Sequence, residues 1–216
     1  MTAVGRPLSF DREQALLSAM AVFWDRGYEG TSMADLTEAM GINRPSLYGA
    51  FGNKEELFAE ALACYEAKEG AEITRLLNEM PTAREAIEAT LRYNAHVYVE
   101  EGRPRGCMIV LSSLLGRPES TAIRALLAER RRVGENELRD RIERGQAQGD
   151  VHTDVDARNL AAFYTTVLQG MSITARDGAT QSDLDRIVEL AMSGWPSPGH
   201  GKSMRFRKKG YRRATE

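Results

Sequence analysis

Residues 27–58 read GYEGTSMADLTEAMGINRPSLYGAFGNKEELF. Ser32 and Asp35 form a capping-box-like pair at the start of a helix that Gly41 closes. Asn43 is a good N-cap for a short next helix, and Pro45 fits its first turn, where a missing N–H costs nothing. Gly52-Asn53 ends that helix and caps a longer one running from Lys54 to about Met80. Upstream, Asp11 to Arg26 places Ala15, Leu16, Ala19, Met20 and Phe23 on one helical face, with Gly27 as a stop. The spacing therefore predicts three helices, the last two short and joined by the tight turn Met40-Gly41-Ile42-Asn43. That is a helix-turn-helix, whose second helix enters a DNA major groove. Met33, Leu36, Ala39, Ile42 and Leu47 would pack the two helices together. Arg44, Pro45, Ser46, Tyr48 and Gly49 would be left outward, with Arg44 suited to guanine edges or a phosphate and Ser46 and Tyr48 to phosphates. Taken as spacing alone, Phe51 and Leu57 are core residues of any helical protein, and Lys54-Glu55-Glu56 is an ordinary helix start.

The same stretch resembles the N-terminal domain of the TetR family of bacterial regulators almost position by position. Gly27, Thr31, Ser32, Gly41, Leu47, Tyr48, Phe51, Lys54, Glu55 and Leu57 match the family pattern, and the likeness covers roughly the first sixty residues. It implies an all-α protein with a three-helix DNA-binding domain over residues 1–55 and a helical effector-binding and dimerisation domain over 56–196. It also implies that Thr31, Tyr48 and Lys54 contact phosphates while Arg44, Pro45 and Ser46 face bases. Two positions depart from the pattern: Ala50 stands where the family usually has His, and Gly49 replaces a larger residue. Arg6, ahead of the first helix, could reach the adjacent minor groove.

Composition sets the outer bounds. Cys64 and Cys107 are the only cysteines, too few for a disulfide framework, and no apolar leader or bilayer-spanning stretch occurs, so the chain reads as cytoplasmic. The 29 basic and 31 acidic residues leave a net charge of −2. Seven of the basic ones, from Lys202 to Arg213, lie in the last eighteen residues, so the remainder is more acidic still and gross charge lends DNA binding no support. Residues 197–216 read as a basic, disordered tail. His96, His152 and His200 are too scattered for a metal site, and no phosphate-cradling loop, nucleophile elbow or HExxH pair is present. We therefore expect no metal, no cofactor and no enzymatic activity. A helical scaffold that does not bind DNA is the competing class.

Downstream the punctuation stays helical. Pro81-Thr82 opens a helix with the stripe Ile87, Leu91, Asn94 and Tyr98. Gly102 to Gly106 is a turn, Cys107 to Leu115 an apolar segment, and a charged helix runs from Pro118 to Gln148. Two further helices cover Asp156 to Arg176 and Ser182 to Trp195. From Asn159 to Ala175 no charge occurs, and apolar groups lie on opposite faces, so that helix should be buried on both sides. One side would meet its own domain and the other a second copy, through Thr166, Gly170 and Ile173 together with Leu184, Ile187, Val188 and Ala191. The alternative is a monomer whose last two helices pack inward. A two-fold dimer implies a palindromic operator with half-sites roughly 34–36 Å apart. Tyr65, Tyr93, His96, Cys107, Met108, Phe163, Tyr164 and Gln169 are the candidate contacts for a small hydrophobic effector. Cys107 follows Arg103-Pro104-Arg105-Gly106 at the start of an apolar helix, where nearby cations and the helix end would lower its pKa and make it reactive. The segment RGCMIVLSSL resembles that of a TetR subgroup that includes electrophile-sensing repressors. The other reading of Cys107 is a small buried hydrophobe.

Overall fold

A computed structural model describes residues 10–112 and 120–196. Arg6, the residues from Ser113 to Pro118 and the basic tail lie outside these residues. Nine helices and no strand occur among them: α1 (Arg12–Gly30), α2 (Met33–Met40), α3 (Arg44–Phe51), α4 (Lys54–Glu79), α5 (Ala83–Val97), α6 (Met108–Leu111), α7 (Thr121–Gln148), α8 (Ala157–Arg176) and α9 (Gln181–Ser193). None of the helices within the described residues is long and apolar enough to cross a membrane.

The helix starts follow their sequence signals. Ser32, Asn53, Thr82 and Thr180 each close a reciprocal capping box with the carboxylate three residues on, and Asp11, Asn43 and Asp156 accept from backbone N–H groups of their own first turns. Each cap satisfies donors that a helix cannot satisfy internally. Gly27 takes φ 68° and ψ 173°, a conformation open to glycine, and breaks α1 ahead of a last turn that ends at Gly30. The terminal helix stops at Ser193, short of the expected Trp195, yet Trp195 stays buried with its ring 5.6 Å from that of Tyr164.

Two apolar clusters hold the chain. The first gathers Ala15, Ala19, Phe23, Trp24, Leu36, Leu47, Phe51, Leu57 and Phe58, with Phe58 edge-on to Phe23 at 5.0 Å and to Tyr28 at 5.2 Å. It continues along α4 to Leu62 and Tyr65 and takes in Met108, Ile123 and Leu127 from α6 and α7. The second unites Leu77, Ile87, Leu91, Leu138, Ile142, Tyr164, Met171, Leu184, Val188 and Trp195. Because α4 contributes to both, no linker separates the DNA-reading helices from the rest; one 26-residue helix connects them.

Candidate nucleic-acid interface and internal cavity

At the N-terminal end, α2 and α3 meet across Gly41, which takes the left-handed conformation (φ 64°) the turn requires. Leu36 and Leu47 are fully buried between α2, α3 and the helices behind them, so the opposite face of α3 must look outward. Arg44, Pro45 and Gly49 are exposed, Ser46 is half-buried, and Tyr48 is 51% exposed. Asn43 Oδ1 accepts the Ser46 N–H at 2.9 Å, so the base of this face is held rigidly. Arg12 on α1 braces the other end, donating to Glu60 and to the Ala50 carbonyl and lying 4.4 Å over the Phe51 ring.

Two expected phosphate contacts are placed differently from the outward residues. Thr31 is only 2% exposed and its hydroxyl donates to the Gly27 carbonyl at 2.7 Å. Its side chain closes the α1–α2 corner rather than facing solvent. Lys54 stands in the first turn of α4 with its ammonium 4.2 Å over the Tyr28 ring. That contact fixes the cation beside the helix-turn-helix.

A cavity of about 600 Å³ lies between α4, α5, α6, α7 and α8. Its walls are mostly apolar, with Ile73, Val97, Ile109, Val110, Leu138 and Leu168 among them. Tyr65, Tyr93, Cys107 and Gln169 border it as the sequence predicts, joined by Tyr98 and Thr165. The Thr165 hydroxyl is buried with no hydrogen-bond partner among the described residues. Four expected contacts do not border it. His96 is exposed on α5, Met108 is packed wholly into the N-terminal cluster, Phe163 points outward at 50% exposure, and Tyr164 is a core residue whose hydroxyl donates to the Ala191 carbonyl at 3.3 Å. Trp24 of α1 does line the cavity. Sequence pattern could not show this, because an amphipathic face carries no mark of which distant helix it meets.

Cys107 borders the cavity and is partly accessible from it, yet its thiol sits among protein atoms and burial pushes its pKa up. This overturns the expectation of a lowered pKa. The expected cations turn elsewhere: Arg103 pairs with Glu69 at 2.7 Å and Glu100 at 2.9 Å, and Arg105 donates to the Ala179 carbonyl. The Tyr65 hydroxyl hydrogen-bonds the Cys107 sulfur and works against the effect of burial, as do the backbone N–H groups at the start of α6. Burial also drives the Tyr65 and Tyr98 phenols well above their usual range, so both are neutral donors near the thiol.

The outer face of α8 carries Phe163, Thr166, Gly170 and Ile173, all exposed, and the neighbouring α9 adds Leu190 at 76% exposure. Ile187 is half-buried. Leu184, Val188 and Ala191, expected on this face, are instead buried in the chain's own second cluster. The stripe on α9 faces inward, and only its flank reaches the surface.

Residues 15–61 match the family described as bacterial regulatory proteins, tetR family. The chain is 36% identical over 193 residues to the HTH-type transcriptional repressor ComR of Escherichia coli (strain K12), covering 89% of this chain and 92% of ComR. It belongs to the TetR family. The HTH-type transcriptional repressor BdcR of the same organism is 31% identical over 187 residues, covering 87% of this chain and 90% of BdcR. Among solved structures, a cysteine mutant of the TetR family regulator CifR, complexed with 26-base-pair operator DNA, is 47% identical and superimposes with a TM-score of 0.86. That likeness covers 88% of this chain and all of the CifR chain. Family membership thus extends past the helix-turn-helix into the domain that builds the cavity.

Proposed function

We propose that the protein is a transcriptional repressor that binds a palindromic operator as a homodimer and leaves it when a small hydrophobic or electrophilic molecule occupies the cavity. The observation that carries this reading is the outward face of α3, capped by Asn43 and backed by Leu36 and Leu47. Arg44, Pro45, Ser46 and Gly49 would meet base edges, while Tyr48 and Lys54 hold phosphates. Thr31 would contribute through its backbone and the corner it closes. ComR and BdcR are named as repressors and the CifR mutant was captured on operator DNA, which supports the same role here. Dimerisation through Phe163, Thr166, Gly170 and Ile173 supplies the two-fold symmetry. This role is that of a cytoplasmic regulator with no catalytic step, cofactor or metal.

An electrophile held in the cavity would meet Cys107. With an α,β-unsaturated carbonyl compound, the sulfur bonds to the β carbon and the thiol proton ends on the α carbon, so no further reactant is required. A non-covalent hydrophobic effector would use the same walls.

Fluorescence anisotropy against the DNA upstream of the protein's own gene, followed by selection from a random duplex library, tests the reading. Expected is salt-sensitive binding to a palindromic sequence, weakened by Tyr48→Ala across sequences and by Arg44→Ala with relaxed base preference. If neither DNA source yields specific binding by folded dimer, the repressor reading falls and the helical scaffold takes its place.

A further inference from the structure

Three contacts tie the end of α1 to the cavity-building domain. The Trp24 indole N–H donates to the Gly106 carbonyl at 2.9 Å, the Arg103 guanidinium lies 4.7 Å from the Trp24 ring centroid, and Arg176 of α8 pairs with Asp25 at 3.0 Å. Trp24 is also edge-on to Tyr65 at 4.8 Å and only 4% exposed. Of the described residues of α1, α2 and α3, Trp24 is the one that lines the cavity.

The backbone at Gly106 and Cys107 is the meeting point. Its Gly106 carbonyl holds Trp24, the Gly106 N–H donates to the Tyr98 carbonyl at 2.9 Å, and the Cys107 N–H donates to Ser172 Oγ at 2.8 Å. Two successive peptide units at Gly106 thus join α1, the end of α5 and α8. They have no slack, since Gly106 sits at φ 78° and a Cβ there would come within 2.6 Å of the Ser172 carbonyl oxygen. A group attached to Cys107 inside the cavity lies beside this segment and the indole, both of which line the same wall. Trp24 in turn stands one turn of helix ahead of the Gly27 break, after which α2 begins. A shift of the indole is delivered to the helix-turn-helix with little intervening chain.

We propose that Trp24, latched to the Gly106 carbonyl, is the positioning residue through which occupation of the cavity at Cys107 reorients the helix-turn-helix. This inference rests on the effector-release reading above. Trp24 and Gly106 both form part of the cavity wall beside Cys107, so a molecule held there that makes better contacts with the latch open shifts the protein away from the latched, DNA-competent state. The coupling is a difference between two states, and its magnitude belongs to the linkage between ligand and DNA.

The test uses full-length dimer in a Cys64→Ser background, N-ethylmaleimide as the cavity probe, and the operator obtained by selection. DNA affinity is measured before and after stoichiometric modification of Cys107, confirmed by mass, with Trp24 intact and with Trp24→Phe. With Trp24 intact, modification is expected to weaken DNA binding roughly tenfold or more; in Trp24→Phe the loss should shrink to below about threefold. The ratio of modified to unmodified affinity is a readout that a merely structural role for the indole would not move. Equal losses in both proteins overturn the role of Trp24 while leaving effector release standing. No loss with Trp24 intact overturns effector release and the latch together. Should Trp24→Phe fail to fold, the indole N–H resonance of Trp24, assigned through Trp195→Phe, decides the matter. Modification is expected to speed its exchange with solvent by roughly tenfold or more as the latch opens, and an unchanged rate in protein released from DNA overturns the proposal.

Discussion

Cys107 shows how a residue's chemistry is set by what folds over it. Its sequence neighbours are two arginines and the start of an apolar helix, a pattern that would favour the thiolate. The fold sends Arg103 to Glu69 and Glu100, turns Arg105 to the Ala179 carbonyl, and buries the sulfur, so its pKa rises above the ordinary thiol value. Only the thiolate attacks an electrophile, and raising the pKa lowers the thiolate fraction at neutral pH. The rate of modification by N-ethylmaleimide should therefore keep rising with pH beyond the range in which a free thiol levels off. The Tyr65 hydroxyl stabilises the thiolate by donating to it, so Tyr65→Phe should raise the pKa further and slow modification at pH 8 by roughly tenfold, the value of one hydrogen bond to a charged group. Mass spectrometry of the Cys64→Ser protein over a pH series measures both. A rate in Tyr65→Phe equal to or above that of the parent would show that the phenol does not support the thiolate. At this scale the sequence points to Cys107, which borders the cavity, and misreads its surroundings, because Glu69 and Ala179, the partners of Arg103 and Arg105, are remote in the chain.

Among the elements, α1–α3 were the most legible. Their boundaries depend on caps and glycines that act within four residues of themselves, and Ser32, Gly41, Asn43 and Asn53 perform the roles their positions imply. The eight-residue α3 has few interactions to spare, since its outward face must stay free for a partner. Removing the Asn43 cap should be felt directly. Asn43→Ala is expected to cost about 1 kcal/mol of stability, seen in urea denaturation, with a further loss of DNA affinity because the Ser46 turn frays. Asn43→Asp or Asn43→Ser should recover the stability, as each restores an acceptor for the Ser46 N–H. Helices α8 and α9 were legible only in part. Their apolar stripes announce burial, but Leu184, Val188 and Ala191 serve the chain's own core, and Phe163, which the sequence pattern assigns to the cavity, lies outside it. Periodicity identifies a face and leaves open which of two apolar surfaces it will meet.

For the whole molecule, the outer face of α8 is the feature that the single chain leaves unexplained. Phe163 and Ile173 lie ten residues apart with Thr166 and Gly170 between them, one stripe of exposed and mostly apolar surface, and Leu190 is exposed on α9. An exposed apolar stripe of this kind is costly in water and marks an interaction surface. The small residues Thr166 and Gly170 would let a second α8 approach closely, and among the described residues no side chain stands within 4 Å of a Cβ at Gly170. Because the stripe lies outside the chain's own core, charging it should separate the subunits without unfolding them. Ile173→Glu combined with Phe163→Glu is expected to give a monomer by sedimentation velocity, with an unchanged helical circular dichroism spectrum. Operator binding should then fall far more than either α3 contact alone would explain, since each monomer holds a single half-site and the second binding event loses its high effective concentration. A protein that stays dimeric after both substitutions would place the interface elsewhere. A monomer that binds full operator as tightly as the parent would mean that two-fold symmetry is not what this protein reads.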